Sequence, residues 1–244
     1  MKSISHAGRA GTADSALAAL SEQVVACRKC PRLVRHREEI ARVKRRAYRE
    51  CSYWGRPVPG FGDPRAELMI IGLAPGAHGS NRTGRMFTGD SSGTFLYGQL
   101  HRAGFASQPT AIGADDGLEL RNAYITAVAR CAPPGNKPLP AEIAACLPYL
   151  EKELDLLRPR AILALGAIAF DTYLRLLVRR GRLATRAKYR FAHGLDVKLP
   201  GDLPRLFAAY HPSQQNTQTG RLTPRMFAAV LRRIRHALAR PSAR

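Results

Sequence analysis

Two sets of residues in this chain have the types and spacing for chemistry. The first is Gly72-Leu73-Ala74-Pro75-Gly76-Ala77-His78-Gly79-Ser80-Asn81-Arg82-Thr83-Gly84-Arg85-Met86-Phe87-Thr88-Gly89-Asp90. Its five glycines let the backbone come close to a bound group, and it closes on an aromatic ring, Phe87, and a carboxylate, Asp90. That combination suits a flat aromatic ligand, with an ordinary strand-to-helix connection as the competing reading. A phosphate-binding loop is disfavoured, because there is no Gly-Lys-Ser/Thr end and no G-x-G-x-x-G spacing.

The second set is the thiols. Cys27-Arg28-Lys29-Cys30 is a C-x2-C pair, Cys131 and Cys146 form a second pair with fourteen residues between them, and Cys51 is left over. Four thiolates can hold a tetrahedral zinc or an iron-sulfur cluster, and the wide second pair favours the cluster, with free buried thiols as a third reading. Such a site would staple the basic N-terminal region to the rest of the domain.

The elements that position these groups follow from hydrophobic patterning. Apolar runs at 67–72, 122–128, 161–166 and 206–210 read as strands, with a short strand or hairpin around 191–199. Helical periodicity covers 33–49, 92–103, 141–157, 167–178 and the stretch from 223, while 1–21 reads as a flexible tail before a single domain, 22–240. A short helix is expected to run up to the cysteine pair and to stop at Pro31. Strands alternating with helices give an α/β fold, with a mostly parallel four-stranded sheet and helices on both faces. In that architecture function gathers beyond the carboxyl ends of the strands. The glycine loop, the Cys131 to Lys137 segment and the loop His211-Pro212-Ser213-Gln214-Gln215-Asn216 all emerge there. Read alone, His211 is either a ligand donor or a satisfied structural histidine.

Lys plus Arg is 39 against 18 Asp plus Glu, a formal net charge of +21. A polyanion is the natural partner, and a solvated basic surface is the bland alternative for any one cluster. No apolar run approaches the roughly 20 residues that span a bilayer, and the start of the chain lacks the apolar core of a signal peptide. Five cysteines without a secretory signal argue against a disulfide framework. The expected location is the cytoplasm, at the nucleoid.

Taken together, the Gly72 to Asp90 loop, the cysteine pattern, Cys131-Ala132-Pro133-Pro134-Gly135-Asn136-Lys137 and His211 to Asn216 resemble the iron-sulfur uracil-DNA glycosylases, most closely the family 5 (type B) branch. The resemblance runs from about Cys27 to the last helix, and the order and separation of all the motifs match. It implies a three-layer αβα sandwich, a [4Fe-4S] cluster on Cys27, Cys30, Cys131 and Cys146, and removal of uracil and other deaminated bases from DNA to leave an abasic site. A monomer is expected. Many members carry a carboxylate or amide two residues before the position of Pro75, and sister families carry a base-reading Asn on the second strand. Here those positions are Leu73 and Ala127, and Met86 stands where proline is common.

On this resemblance Phe87 is the stacking platform for an extruded base, and the Gly76 and Ala77 amides are donors to its carbonyl. His211 is the donor to charge developing on the base. Asp90, which also precedes a helix as an N-cap, orients or deprotonates water, and Asn136 faces the base or that water. Ser213, Gln214, Gln215 and Asn216 would enter the groove, and Arg82, Arg85 and Arg221 would contact phosphate. With Leu73 and Ala127 in place of polar groups, a slower enzyme tolerating larger bases such as hypoxanthine or xanthine is expected. The rival readings are a non-catalytic iron-sulfur DNA-binding module and a nucleotide-binding enzyme, the latter disfavoured by the missing lysine.

Overall fold

Four five-residue runs rich in Ile, Leu, Met and Ala pair side by side in the computed structural model, which describes the backbone of residues 7–239 and side chains from residue 14 to 239. These are β2 (Leu68–Gly72), β3 (Ala123–Ala127), β4 (Ala161–Leu165) and β6 (Arg205–Ala209), and all their mutual pairings are parallel. Two-residue strands, β1 (Phe61–Gly62) and β5 (Asp196–Val197), add antiparallel edges to β3 and β6. The sheet is therefore six-stranded and mixed, in the order β1-β3-β2-β4-β6-β5, where four strands were expected. Pairing at β1 is limited by the prolines around it, and two residues are too few to show an alternating pattern.

Because parallel strands hidden on both faces need few polar positions, the runs are almost wholly apolar, with Thr126 the buried exception. Ile70 pairs with Ile125 on one side and Leu163 on the other, and Leu163 pairs with Phe207, giving one row of large side chains. The helices α4 (Ser91–Arg102) and α8 (Pro224–Ala239) cover that row through Leu96, Leu100, Phe227 and Leu231. Met69, Ile71, Ile162 and Leu206 face the other way, under α5 (Pro140–Leu157) and α6 (Ala167–Arg179). The result is three layers, helix, sheet and helix. No helix among the described residues is long and apolar enough to cross a membrane.

The N-terminal region departs from expectation. Residues 1–6 of the expected 1–21 tail lie outside the described residues, but α1 (Ala7–Val25) occupies the rest. Leu20 and Val24, one helical turn apart, bury against Tyr149 of α5, and this tertiary contact outweighs a locally weak apolar pattern. The helix ends before the cysteine pair. Pro31 then starts α2 (Pro31–Val43) rather than stopping a helix, since its missing N–H costs nothing at the first helical position. That helix is shorter than the expected 33–49: Lys44 turns left-handed and a 3-10 turn, Arg46–Tyr48, follows. Arg32 of α2 pairs with Glu142 at 2.8 Å, tying this region to the start of α5.

At the carboxyl end of β3 the chain buries a charge. Arg130 meets Glu153 of α5 at 2.6 Å with both side chains at most 2% exposed. Glu153 also accepts from Thr126 Oγ1 at 2.7 Å and from the Tyr124 hydroxyl at 3.4 Å. Removing one member of such a pair strands the other charge in a medium that cannot solvate it. Glu153→Ala is expected to cost roughly 3 to 5 kcal/mol of unfolding free energy by urea titration, and a loss below about 1 kcal/mol would contradict this account.

Candidate active site and cysteine centre

The four parallel strands end together, and β3 and β4 leave β2 on opposite sides, which opens a crevice at the carboxyl end of β2. The glycine loop folds over it. A short helix, α3 (Ser80–Thr83), forms inside the loop, and Arg82 spans its two arms, donating from Nε to the His78 carbonyl and from Nη2 to the Gly89 carbonyl, each at 2.9 Å. Phe87 sits in the left-handed region at φ 53°, a conformation aromatic residues rarely adopt. A Cβ on Gly72 would lie 2.9 Å from its ring, and on the other side the ring lies beside the His211 imidazole, centroids 5.6 Å apart and planes tilted by 33°.

Asp90 caps α4, with Oδ1 accepting the Gly93 amide at 3.0 Å. Its other oxygen lies over Gly76, where a Cβ would come within 2.9 Å, and over Gly79, where a side chain would collide with the carboxylate. Burial raises the Asp90 pKa, against the opposing pull of the Gly93 and Ser92 amides and the Arg82 charge. Burial alone lowers His211 to about 4, so its imidazole is neutral at physiological pH. A neutral imidazole still offers one N–H donor.

One cavity of about 640 Å³ is lined by Gly76, Ala77, Phe87, Asp90, Asn136 and His211. These come from three separate loops. Leu73 and His78 also line it, and Ser213, Gln214 and Gln215 add polar side chains. Asn136 arrives on a 3-10 turn, Pro134–Asn136, at φ 57°, which leaves its side chain exposed beside the cavity. Gln214 begins a short helix, α7 (Gln214–Gln218), capped by Ser213.

Other expected site residues are placed elsewhere. Arg85 is a correction: it is 4% exposed and spends its guanidinium on Thr88, the Ala114 carbonyl and Asp116, so it has no free face for a phosphate. Arg82 is likewise committed to the loop carbonyls, and its guanidinium stacks 4.2 Å above the Tyr48 ring. Asn216 donates to the His211 carbonyl at 2.8 Å and thereby holds the histidine's loop rather than facing the cavity. Arg221 is exposed, its guanidinium 4.6 Å over Tyr210. Ala127 is buried in the core beneath the crevice.

Cys27, Cys30, Cys131 and Cys146 gather where α1, α2, β3 and α5 meet, close enough that Cys30, Cys131 and Cys146 each feel the charge of others in the set. Cys51 is not among those groups. No three of these or other His, Cys, Asp and Glu side chains among the described residues form a single-ion site. Arg37 donates to the Cys131 sulfur at 3.0 Å. Buried donors at this centre, Arg37 Nε and Arg130 Nε and Nη1, have no partner among the described residues. An anionic group with several acceptor atoms, held by four thiolates, would satisfy donors of that kind, so the donor set fits an iron-sulfur cluster. Sequence reading missed both arginines, because only tertiary contact distinguishes them from the other basic residues of the chain.

Residues 59–235 match the family model described as "Uracil DNA glycosylase superfamily". The chain is 51% identical over 228 residues to a protein named type-5 uracil-DNA glycosylase from Mycobacterium tuberculosis, covering 93% of this chain and 82% of that one. Proteins with the same name from Mycobacterium leprae and Thermus thermophilus are 54% and 53% identical, each over 87% of this chain and over 92% and 94% of their own lengths.

The His211 environment has a measurable consequence. An unfolded chain binds a proton there near pH 6.5 and the folded one only near about 4, so stability is lost as pH falls across that window. His211→Asn should flatten that part of the curve of urea midpoint against pH. A His211 imidazole proton signal titrating near 6.5 in the folded protein would contradict the assignment.

Proposed function

The chain belongs to the uracil DNA glycosylase superfamily, within its type-5 branch, and we propose that it hydrolyses the N-glycosidic bond of uracil in DNA, leaving an abasic site for base excision repair. The observation that carries this reading is the convergence of an aromatic plate, a neutral imidazole, a buried carboxylate and an amide on one cavity. Taking a base out of the duplex costs a few kcal/mol, which stacking on Phe87 and filling of the gap by Gln214 and Gln215 would offset. The Gly76 and Ala77 backbone would approach a base carbonyl, and His211 would donate to the negative charge the base acquires as the bond breaks. Asp90, buried and with its pKa raised by that burial, is suited to orient water and to balance positive charge on the sugar. Asn136 would hold that water or the base edge.

Leu73 leaves this wall of the cavity apolar, which supports a slow enzyme with room for hypoxanthine and xanthine. Arg221, exposed and steadied on Tyr210, is the phosphate contact that remains of those expected. We take the working form to be a monomer at the nucleoid, where a charge of +21 meets its polyanion. At the cysteine centre, Cys27, Cys30, Cys131 and Cys146 would hold a [4Fe-4S] cluster, which would supply a covalent staple between the N-terminal helices and α5. Arg37 and Arg130 would balance its charge from buried positions.

Cleavage of a uracil-containing duplex by alkali after incubation tests the activity. Asp90→Asn, which keeps the helix cap, and Asn136→Ala should each lower single-turnover excision at least about tenfold, or about 1.4 kcal/mol, with duplex affinity largely retained. Wild-type rates in both would remove them from the chemistry, and a wild-type protein that binds the duplex without producing alkali-labile sites would leave only a DNA-binding module. The cluster reading expects brown protein with iron and acid-labile sulfide in equal amounts. Colourless protein with stoichiometric zinc would overturn it.

A further inference from the structure

His78 lines the cavity, yet no role above uses its ring. Its Nδ1 lies 2.9 Å from the hydroxyl of Tyr53, with the two rings edge-on at 6.1 Å and 85°. The Tyr53 oxygen already receives the Arg45 amide at 3.5 Å. Taken with the phenol giving its one proton to Nδ1, the pair leaves the Tyr53 oxygen to the Arg45 amide. An imidazole that accepts through Nδ1 while neutral must carry its own proton on Nε2. Partial burial, reinforced by the charges of Arg45 and Arg82, lowers the His78 pKa and so favours the neutral ring. The backbone is fixed as well, through the Arg82 bond to the His78 carbonyl.

Resting on the glycosylase reading, we propose that His78, with its tautomer set by Tyr53, presents a fixed N–H donor to the extruded base and recognises the carbonyl that deamination creates. Deamination replaces an exocyclic amine, which donates hydrogen bonds, with a carbonyl, which accepts them. This holds for cytosine to uracil, adenine to hypoxanthine and guanine to xanthine. A donor that cannot switch to accepting is matched by the carbonyl of each lesion and opposed by the amine of each parent base. An asparagine amide can rotate to offer either its oxygen or its nitrogen, whereas this imidazole keeps Nε2 as a donor for as long as Tyr53 donates to Nδ1. The device thus reads what the deaminated bases share, and it does so where β3 carries Ala127 and has no side chain to read with. Tyr53 is a positioning residue in this scheme, and His78 touches the base.

Nitrogen-15 NMR of histidine-labelled protein tests the tautomer directly, without DNA. Wild type should show His78 with Nδ1 unprotonated and Nε2 protonated, and Tyr53→Phe should convert it to a tautomer mixture. In single-turnover excision of uracil, His78→Leu should lose about tenfold or more in kcat/KM, His78→Gln, which keeps an N–H donor, should recover most of it, and Tyr53→Phe should fall between at about threefold. Thermal unfolding of each variant checks that the fold is intact. Protonated Nδ1 in wild type, or an active wild type in which His78→Leu is unimpaired or His78→Gln is no better than His78→Leu, would overturn the proposal alone. A wild type that releases no uracil would sink the glycosylase reading and this one with it.

Discussion

A side chain at Gly93 would run into the Phe87 carbonyl, one at Gly79 into the Asp90 carboxylate, and one at Gly72 into the Phe87 ring. This crowding of backbone against two functional side chains is the constraint on which the cavity depends. Only glycine at these positions lets the backbone pass this close to the ring and the carboxylate. Phe87 pays for its left-handed backbone with about 1 to 3 kcal/mol, offset by neighbours such as the Tyr97 hydroxyl, which donates to the Met86 carbonyl at 2.7 Å. A pre-formed plate and a pre-formed cap are what electrostatic catalysis requires, since nothing need reorganise as charge develops.

The same burial acts in opposite senses on the two titratable groups. It raises the Asp90 pKa, against the Gly93 and Ser92 amides and the Arg82 charge, and lowers that of the His211 imidazole, in each case disfavouring the charged form. Around them the chain is strongly basic, but several of its cations are structural. Arg82 braces the glycine loop, Arg85 pairs with Asp116, and Arg130 pairs with Glu153. Arg221, by contrast, is exposed and makes no ion pair among the described contacts.

Much of this was legible in the sequence. Four apolar runs became four parallel strands within a residue or two of their expected ends, because strands buried on both faces are encoded locally, by the scarcity of polar positions. Gly76, Ala77, Phe87, Asp90, Asn136 and His211 were legible as a set because parallel strands deliver their following loops to one edge. The short strand expected near 191–199 is β5. What failed did so where partners are remote in sequence. Nothing near Leu20 and Val24 announces that Tyr149 will bury them, and nothing near Phe61 announces Ile125 as its pairing partner.

The chain's residues by themselves determined the layered α/β architecture, the family, and which loops would carry the chemistry, since the first rests on local apolar patterning and the others on the order and spacing of short motifs. Only the tertiary structure decided which arginines are spent inside the protein, that α1 is a packed helix where a tail was expected, and that His78 is gripped by Tyr53. The physical reason is that a hydrogen-bond partner is a property of neighbours in space. Arg85 and Arg221 look alike in a sequence, and they differ because Asp116 lies beside one and solvent beside the other.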